Sequence, residues 1–222
     1  MLQRRSDSTR LEAFSDGVFA FAATLLVVSL EVPNSFSELL ADLSGMGAFA
    51  LGFLALVLLW AVHNAYFRRY ALEDGWTIAL NACLLFVILF YVFPLKFVAA
   101  GLSGYVFRLG DYTRLPTIAS LEELATLFLL YSLGFVLIFT FVSLMYRHAT
   151  RRAGVLGLGP GELHEAHFLK RHYGVFVLVG LSSMLLAWLE IGVAFGLPGW
   201  IYALLGPACW AHGAWSNRRR PA

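Results

Sequence analysis

Along the chain, apolar residues gather into long, nearly uninterrupted runs instead of the alternating or one-sided patterns of a water-soluble domain. With a window of about 19 residues, six runs are long enough to cross roughly 30 Å of hydrocarbon as helices. They cover 13–32, 46–67, 77–101, 121–146, 173–196 and 199–216. Helices are required because a backbone facing lipid must satisfy its own hydrogen bonds, and no run shows the period-two alternation of a membrane barrel. The pattern therefore predicts an all-α integral membrane protein with six transmembrane helices, in a single membrane domain over residues 1–222. The sixth run contains Pro207, which leaves its ends the least defined. The polar stretch between Arg147 and His172 is the longest soluble piece, and its G-L-G-P-G centre reads as a turn. A secretory leader would also open on basic residues such as Arg4, Arg5 and Arg10 followed by an apolar run. No small-x-small cleavage site follows this one, so it reads as a span.

Composition agrees with the pattern and adds orientation. Hydrophobic residues make up 59% of the 222 residues and charged residues 14%, and the mean hydropathy is +0.73, outside the range of ordinary soluble domains. A net charge of +2 is too small, and its basic residues too scattered, for nucleic-acid binding. Their placement reports topology. With the N-terminus inside, the inner segments hold Arg4, Arg5, Arg10, Arg68, Arg69, Arg147, Arg151, Arg152, Lys170, Arg171, Arg218, Arg219 and Arg220, whereas the outer loops hold only Arg108 and Arg114. The positive-inside rule then predicts two cytoplasmic termini. Cys83 and Cys209 lie inside apolar runs without metal-ligand spacing. The histidines of H-E-A-H, His164 and His167, are three apart, not the four of the zinc-binding H-E-x-x-H pattern. No convergent nucleophile, base and metal set suggests an enzyme, and no cofactor is expected.

The polar residues that do enter the runs carry the functional reading. Ser15 and Asp16 open the first span, either as a cap for its helix or as members of a buried polar network with neighbouring spans. At 100° per residue, Phe21, Thr24, Leu25 and Val28 share a face of that helix, with Glu31 near its upper edge and Asp16 pointing well away. In the second span, Trp60, His63, Asn64 and Phe67 fall at i, i+3, i+4 and i+7, near the depth of Ser15 and Asp16. The third span carries Asn81 near its start and Pro94, which predicts a kink.

Three of these motifs together carry a family resemblance. R-x-x-x-F-S-D-G (Arg10, Phe14, Ser15, Asp16), W-x-x-H-x-x-x-F (Trp60, His63, Phe67) and L-N followed by a proline in the third span resemble bacterial relatives of the lysosomal potassium channel called transmembrane protein 175. The resemblance covers roughly the first hundred residues. It implies a six-span subunit in a homotetramer of the bacterial plasma membrane, with the first helix lining a central pore for potassium ions. T-V-G-Y-G is absent, so no carbonyl filter of that kind is expected. Carried over from the family, the pore constriction and the residues of ion preference fall on Phe21, Thr24, Leu25 and Val28, the face derived above. Phe21 departs from the Ile or Leu expected there. Glu31 would stand at the outer mouth, and Arg10, Phe14, Ser15, Asp16, Trp60, His63, Asn64 and Asn81 would form the polar network that orients the helix. A proton-conducting channel and a secondary cation transporter are the alternatives at this stage.

Overall fold

The computed structural model describes residues 10–28, 46–101 and 118–218, with positions 35, 36, 39, 40 and 43 between the first two stretches. Every regular element among these residues is helical, as lipid-facing apolar runs demand. The long helices are α1 Arg10–Val28, α2 Met46–Tyr70, α3 Gly75–Gly101, α4 Leu121–Arg151 and α6 Pro160–Trp188, with α5 Ala153–Leu156 a single turn. A 3₁₀ turn at Val193–Phe195, α7 Leu197–Trp200, a second 3₁₀ turn at Ile201–Leu204 and α8 Leu205–Asn217 complete the chain. Among the described residues, α2, α3, α4 and α6 are long and apolar enough to cross a bilayer. The chain is a multi-pass membrane protein. The described part of α1 opens with Arg10, Glu12 and Asp16, and the last run is divided into short pieces, so neither stands among these four. Glu31 and the expected upper end of the first span lie outside the described residues.

The helix starts follow local chemistry. Ser120 caps α4, its hydroxyl accepting from the Glu123 backbone N–H at 3.1 Å, while the Glu123 carboxylate accepts from Ala119 N at 2.7 Å. Pro160 occupies the first turn of α6 and the Glu162 carboxylate accepts from Gly159 N at 2.9 Å. The turn expected at the G-L-G-P-G centre of the soluble piece between Arg147 and His172 is present, and the residues on either side of it are helical. α4 runs on to Arg151 and α6 begins at Pro160, so only the turn at 157–159 separates α5 from α6. Hydropathy senses the polarity of these residues, not their backbone, and they are continuations of the spans. α6 also ends at Trp188, short of the expected 196. Glu190 there adopts a left-handed φ of 55°. Ile191 N donates to Leu186 O at 2.9 Å and Glu190 N to Ala187 O at 3.2 Å, which closes the helix end. The expected sixth helix over 199–216 is likewise broken, its first part being the 3₁₀ turn at Ile201–Leu204.

The chain divides into two compact units, Met1–Arg68 with Ile88–Thr117, and Arg69–Val87 with Ile118–Ala222. In the first, α1 buries Ser15, Phe19, Ala22 and Leu26, at i, i+4, i+7 and i+11, one stripe of a helix. Phe19 meets the His63 ring edge-on at 5.4 Å. In the second, α4 and α6 lie against each other. A Cβ on Gly180 would stand 2.8 Å from Val136 Cγ2 and 3.0 Å from Phe135 Cδ1, so the bare glycine permits this approach. Aromatic rings extend the contact: Phe139 tilted against Phe176 at 4.5 Å, Tyr146 stacked on Tyr173 at 5.5 Å, and Tyr70 edge-on to Tyr146 at 5.8 Å. A buried hydroxyl chain ties the last segment to both helices. Ser183 donates to Pro198 O at 2.7 Å, so its oxygen accepts from Ser132 at 2.8 Å, which in turn accepts from Tyr202 at 3.1 Å. Each proton then has one acceptor, as burial requires.

Candidate pore helix and its anchoring contacts

α1 has a covered side and an uncovered one. Opposite the stripe Ser15, Phe19, Ala22 and Leu26, the side chain of Phe21 is 57% exposed, Thr24 is exposed and Leu25 is partly covered. Helical geometry centres Phe21, Thr24 and Leu25 roughly 140° from the buried stripe. Val28 lies within the helix, but its side chain is outside the described residues. The Thr24 hydroxyl donates to Ala20 O at 2.7 Å. That bond uses its only proton, so outward the oxygen can act solely as an acceptor. An acceptor is the group a cation needs.

The covered side is held by a polar tie and an aromatic wall. Trp60 Nε1 on α2 donates to Asp16 Oδ1 on α1 at 2.9 Å, joining residues 44 apart in sequence. Both residues remain at the surface, Trp60 at 38% exposure. Deeper in, His63 is 3% exposed and stacks at 4.7 Å on buried Phe67, one turn further along α2. Asn64 is partly buried beside it on the helix. Ser15 is fully buried and donates to Leu11 O at 2.8 Å. Arg10 is exposed, and Phe14 is 62% exposed, pointing off the stripe that carries Ser15. Asn81 is fully buried on α3, in the second unit. Gly52 of α2 faces Leu26, whose Cδ2 is 3.6 Å from where a Cβ would be.

Sequence reasoning missed two features. The Phe19, Ala22 and Leu26 stripe could have been read from the 3.6 period running on from Ser15. Asp74, in the connection between α2 and α3, also escaped notice. Its Oδ1 accepts from Thr77 N at 2.9 Å and Thr77 Oγ1 at 2.8 Å, which caps α3. Its Oδ2 meets His148 Nε2 at 2.7 Å and Arg152 Nε at 3.3 Å, both from the end of α4. Burial alone would raise its pKa, but the Thr77 backbone bond and the His148 and Thr77 side-chain bonds outweigh this and hold it at about 2. The legible signal was an aspartate three residues before a threonine at a helix start. Among the described residues, no group of three or more His, Cys, Asp or Glu is placed to hold a metal ion.

The profile of the family described as endosomal/lysosomal potassium channel TMEM175 matches residues 10–91, the stretch that contains both Asp16 and Trp60. A protein of Marivirga tractuosa named potassium channel is 38% identical over 173 residues, covering 73% of this chain and 67% of that protein. The chain belongs to the TMEM175 family. A second relative, a potassium channel of Chamaesiphon minutus, is 27% identical over 205 residues, covering 87% of this chain and 92% of its own. The TMEM175 likeness extends to three dimensions. The crystal structure of a threonine-to-alanine variant of the potassium channel MtTMEM175, in complex with a nanobody–MBP fusion protein, superposes with a TM-score of 0.85 at 32% identity. That match covers 97% of this chain and 96% of that one. The later half of the chain, where sequence motifs were absent, is therefore part of the TMEM175 likeness.

Proposed function

We propose that the chain is the subunit of a homotetrameric, potassium-preferring cation channel of a bacterial plasma membrane. Each subunit is one membrane domain of six spans with cytoplasmic termini, and α1 lines the shared pore. The observation that carries this reading is the uncovered side of α1. α1 leaves Phe21 57% exposed while the opposite stripe is buried, in a chain whose relatives are named potassium channels.

Four Phe21 side chains around an axis would form an apolar neck, with Leu25 and Val28 continuing it. Selection there works by hydration. An ion that passes must shed or distort its water shell, and potassium holds its shell less tightly than sodium. Thr24 oxygens, held as acceptors by their bond to Ala20, would replace some of the lost contacts. Phenyl faces can also attract a cation. Glu31 would raise the cation concentration at the outer mouth. The Asp16–Trp60 bond and the His63 and Phe67 wall fix the rotation of α1, a setting that apolar packing alone specifies weakly.

The test is a reversal-potential measurement in reconstituted bilayers under opposed potassium and sodium gradients, for the native chain and Phe21→Ala. The expected outcome is a potassium-selective current, with conductance raised and selectivity lowered by several-fold in the variant. Folded tetramers without any potassium current would overturn the channel reading. An unchanged current in Phe21→Ala would remove Phe21 from the neck.

A further inference from the structure

A cleft of 260 Å³ opens between the start of α3 and the end of α4, lined by Trp76, Leu80, Leu144, Arg147, His148 and Arg151. Its lining residues all belong to the second unit. Its walls are amphiphilic in a consistent order. On α4, Leu144, Arg147, His148 and Arg151 follow at i, i+3, i+4 and i+7, so one helix face passes from apolar to basic toward the helix end. On α3, Trp76 and Leu80 stand one turn apart, with Trp76 68% exposed. A tryptophan beside arginines at the end of two apolar helices marks the level of lipid headgroups.

The charges are unbalanced at this point. Asp74 is the acid next to the cleft, and its two oxygens are taken by Thr77, His148 and Arg152. Arg147 and Arg151 are both exposed and have no ion pair among the described residues. Like charges one turn apart on a helix repel, and the favourable helix-end dipole only partly offsets this. A bound anion would relieve it.

We infer that this cleft binds the headgroup of an anionic phospholipid, its phosphate between Arg147 and Arg151 and the upper part of its acyl chains against Leu80, Leu144 and Trp76. A free inorganic anion would make no use of the leucines and the tryptophan. A zwitterionic lipid would leave the two arginines uncompensated. The anionic lipid satisfies both halves of the cleft. His148 stays with Asp74, so its bond forms the rigid wall of the cleft and leaves the headgroup to the arginines. The inference is independent of the pore assignment.

The test is native mass spectrometry of the delipidated full chain in detergent, titrated with phosphatidylglycerol and with phosphatidylcholine of equal chain length. The native protein should prefer phosphatidylglycerol by on the order of tenfold, as expected for two arginines near a membrane surface. The double variant Arg147→Gln, Arg151→Gln should lose the preference. Arg147→Lys with Arg151→Lys, which keeps both charges, should retain most of it and guards against a variant that fails to fold. Arg171→Gln removes a guanidinium that stacks 5.6 Å from the Trp215 ring elsewhere, and it should leave the preference intact. Equal binding of both lipids, or a preference that survives the double glutamine variant, overturns the inference. So does an equal loss in Arg171→Gln. Displacement of phosphatidylglycerol by millimolar inorganic phosphate would also overturn it, since a phosphate site alone would then suffice.

Discussion

Asp74 bonds through both carboxylate oxygens to partners at the start of α3 and the end of α4, so its charge ties two helix ends together. Its pKa is lowered from the ordinary 3.8 to about 2. A lowered folded-state pKa means the carboxylate stabilises the fold fully above its unfolded value, and that contribution is lost as pH falls through the folded one. Thermal unfolding followed between pH 5 and 2 should therefore show a falling midpoint in the native chain. Asp74→Asn should start lower and fall less steeply over the same window. Trp60→Phe keeps the ring and removes the N–H that reaches Asp16. The expected cost is about 1 kcal/mol, read as a shift in thermal midpoint, and Trp60→Ala should cost more because the ring is lost as well. At this scale the sequence displayed Asp16 and Trp60 as candidates, since charge inside an apolar run stands out. It could not name the partner, because Trp60, His63 and Asn64 share a helix face. Only the angular position of Asp16 on α1, beside the stripe and not within it, selects the surface-level Trp60.

Among the elements, α4 and α6 meet closely at Gly180, and the reason is a missing side chain. Gly180 leaves no room for a Cβ beside Val136 and Phe135. Gly180→Val should force the helices apart and destabilise the protein by about 1–3 kcal/mol, measured as detergent-resistant thermal stability, with Gly180→Ala between the two. The buried Ser132, Ser183 and Tyr202 chain lies on the same pair of helices and depends on the same separation. Helix existence was readable for the first five runs, because the cost of exposing backbone to hydrocarbon acts on each run separately. Helix ends were less so. Residues after Arg147 fell outside the expected spans because they are polar, yet proline at the first turn and Glu162 behind it start a helix regardless of hydropathy. The early stop of α6 rests on Glu190 in a left-handed conformation that glycine takes more readily, and nothing in the local pattern announced it.

For the whole molecule, the open question is what covers the exposed side of α1. In the proposed tetramer, four copies of Phe21 approach one axis. Phe21→Cys, in a background with Cys83 and Cys209 replaced by serine, should form disulfide-linked dimers on mild oxidation, seen as a doubled mass on non-reducing gels. Val27→Cys, at another exposed α1 position about 110° around the helix from the centre of the proposed pore face, should not. Equal cross-linking at both positions, or none at Phe21→Cys, would count against the shared pore.

Long apolar runs and the R-x-x-x-F-S-D-G opening were enough to indicate a helical membrane protein and its family. Transfer of each run out of water is a local property, summed over neighbours in sequence, so it is visible before folding. The covered side of α1, the choice of Trp60 for Asp16, the close meeting of α4 and α6 at Gly180 and the amphiphilic cleft with its two uncompensated arginines belong to the tertiary structure alone. Each depends on which surfaces meet across long sequence separations, and many pairings satisfy the same hydrophobic pattern until shape and hydrogen-bond direction choose among them.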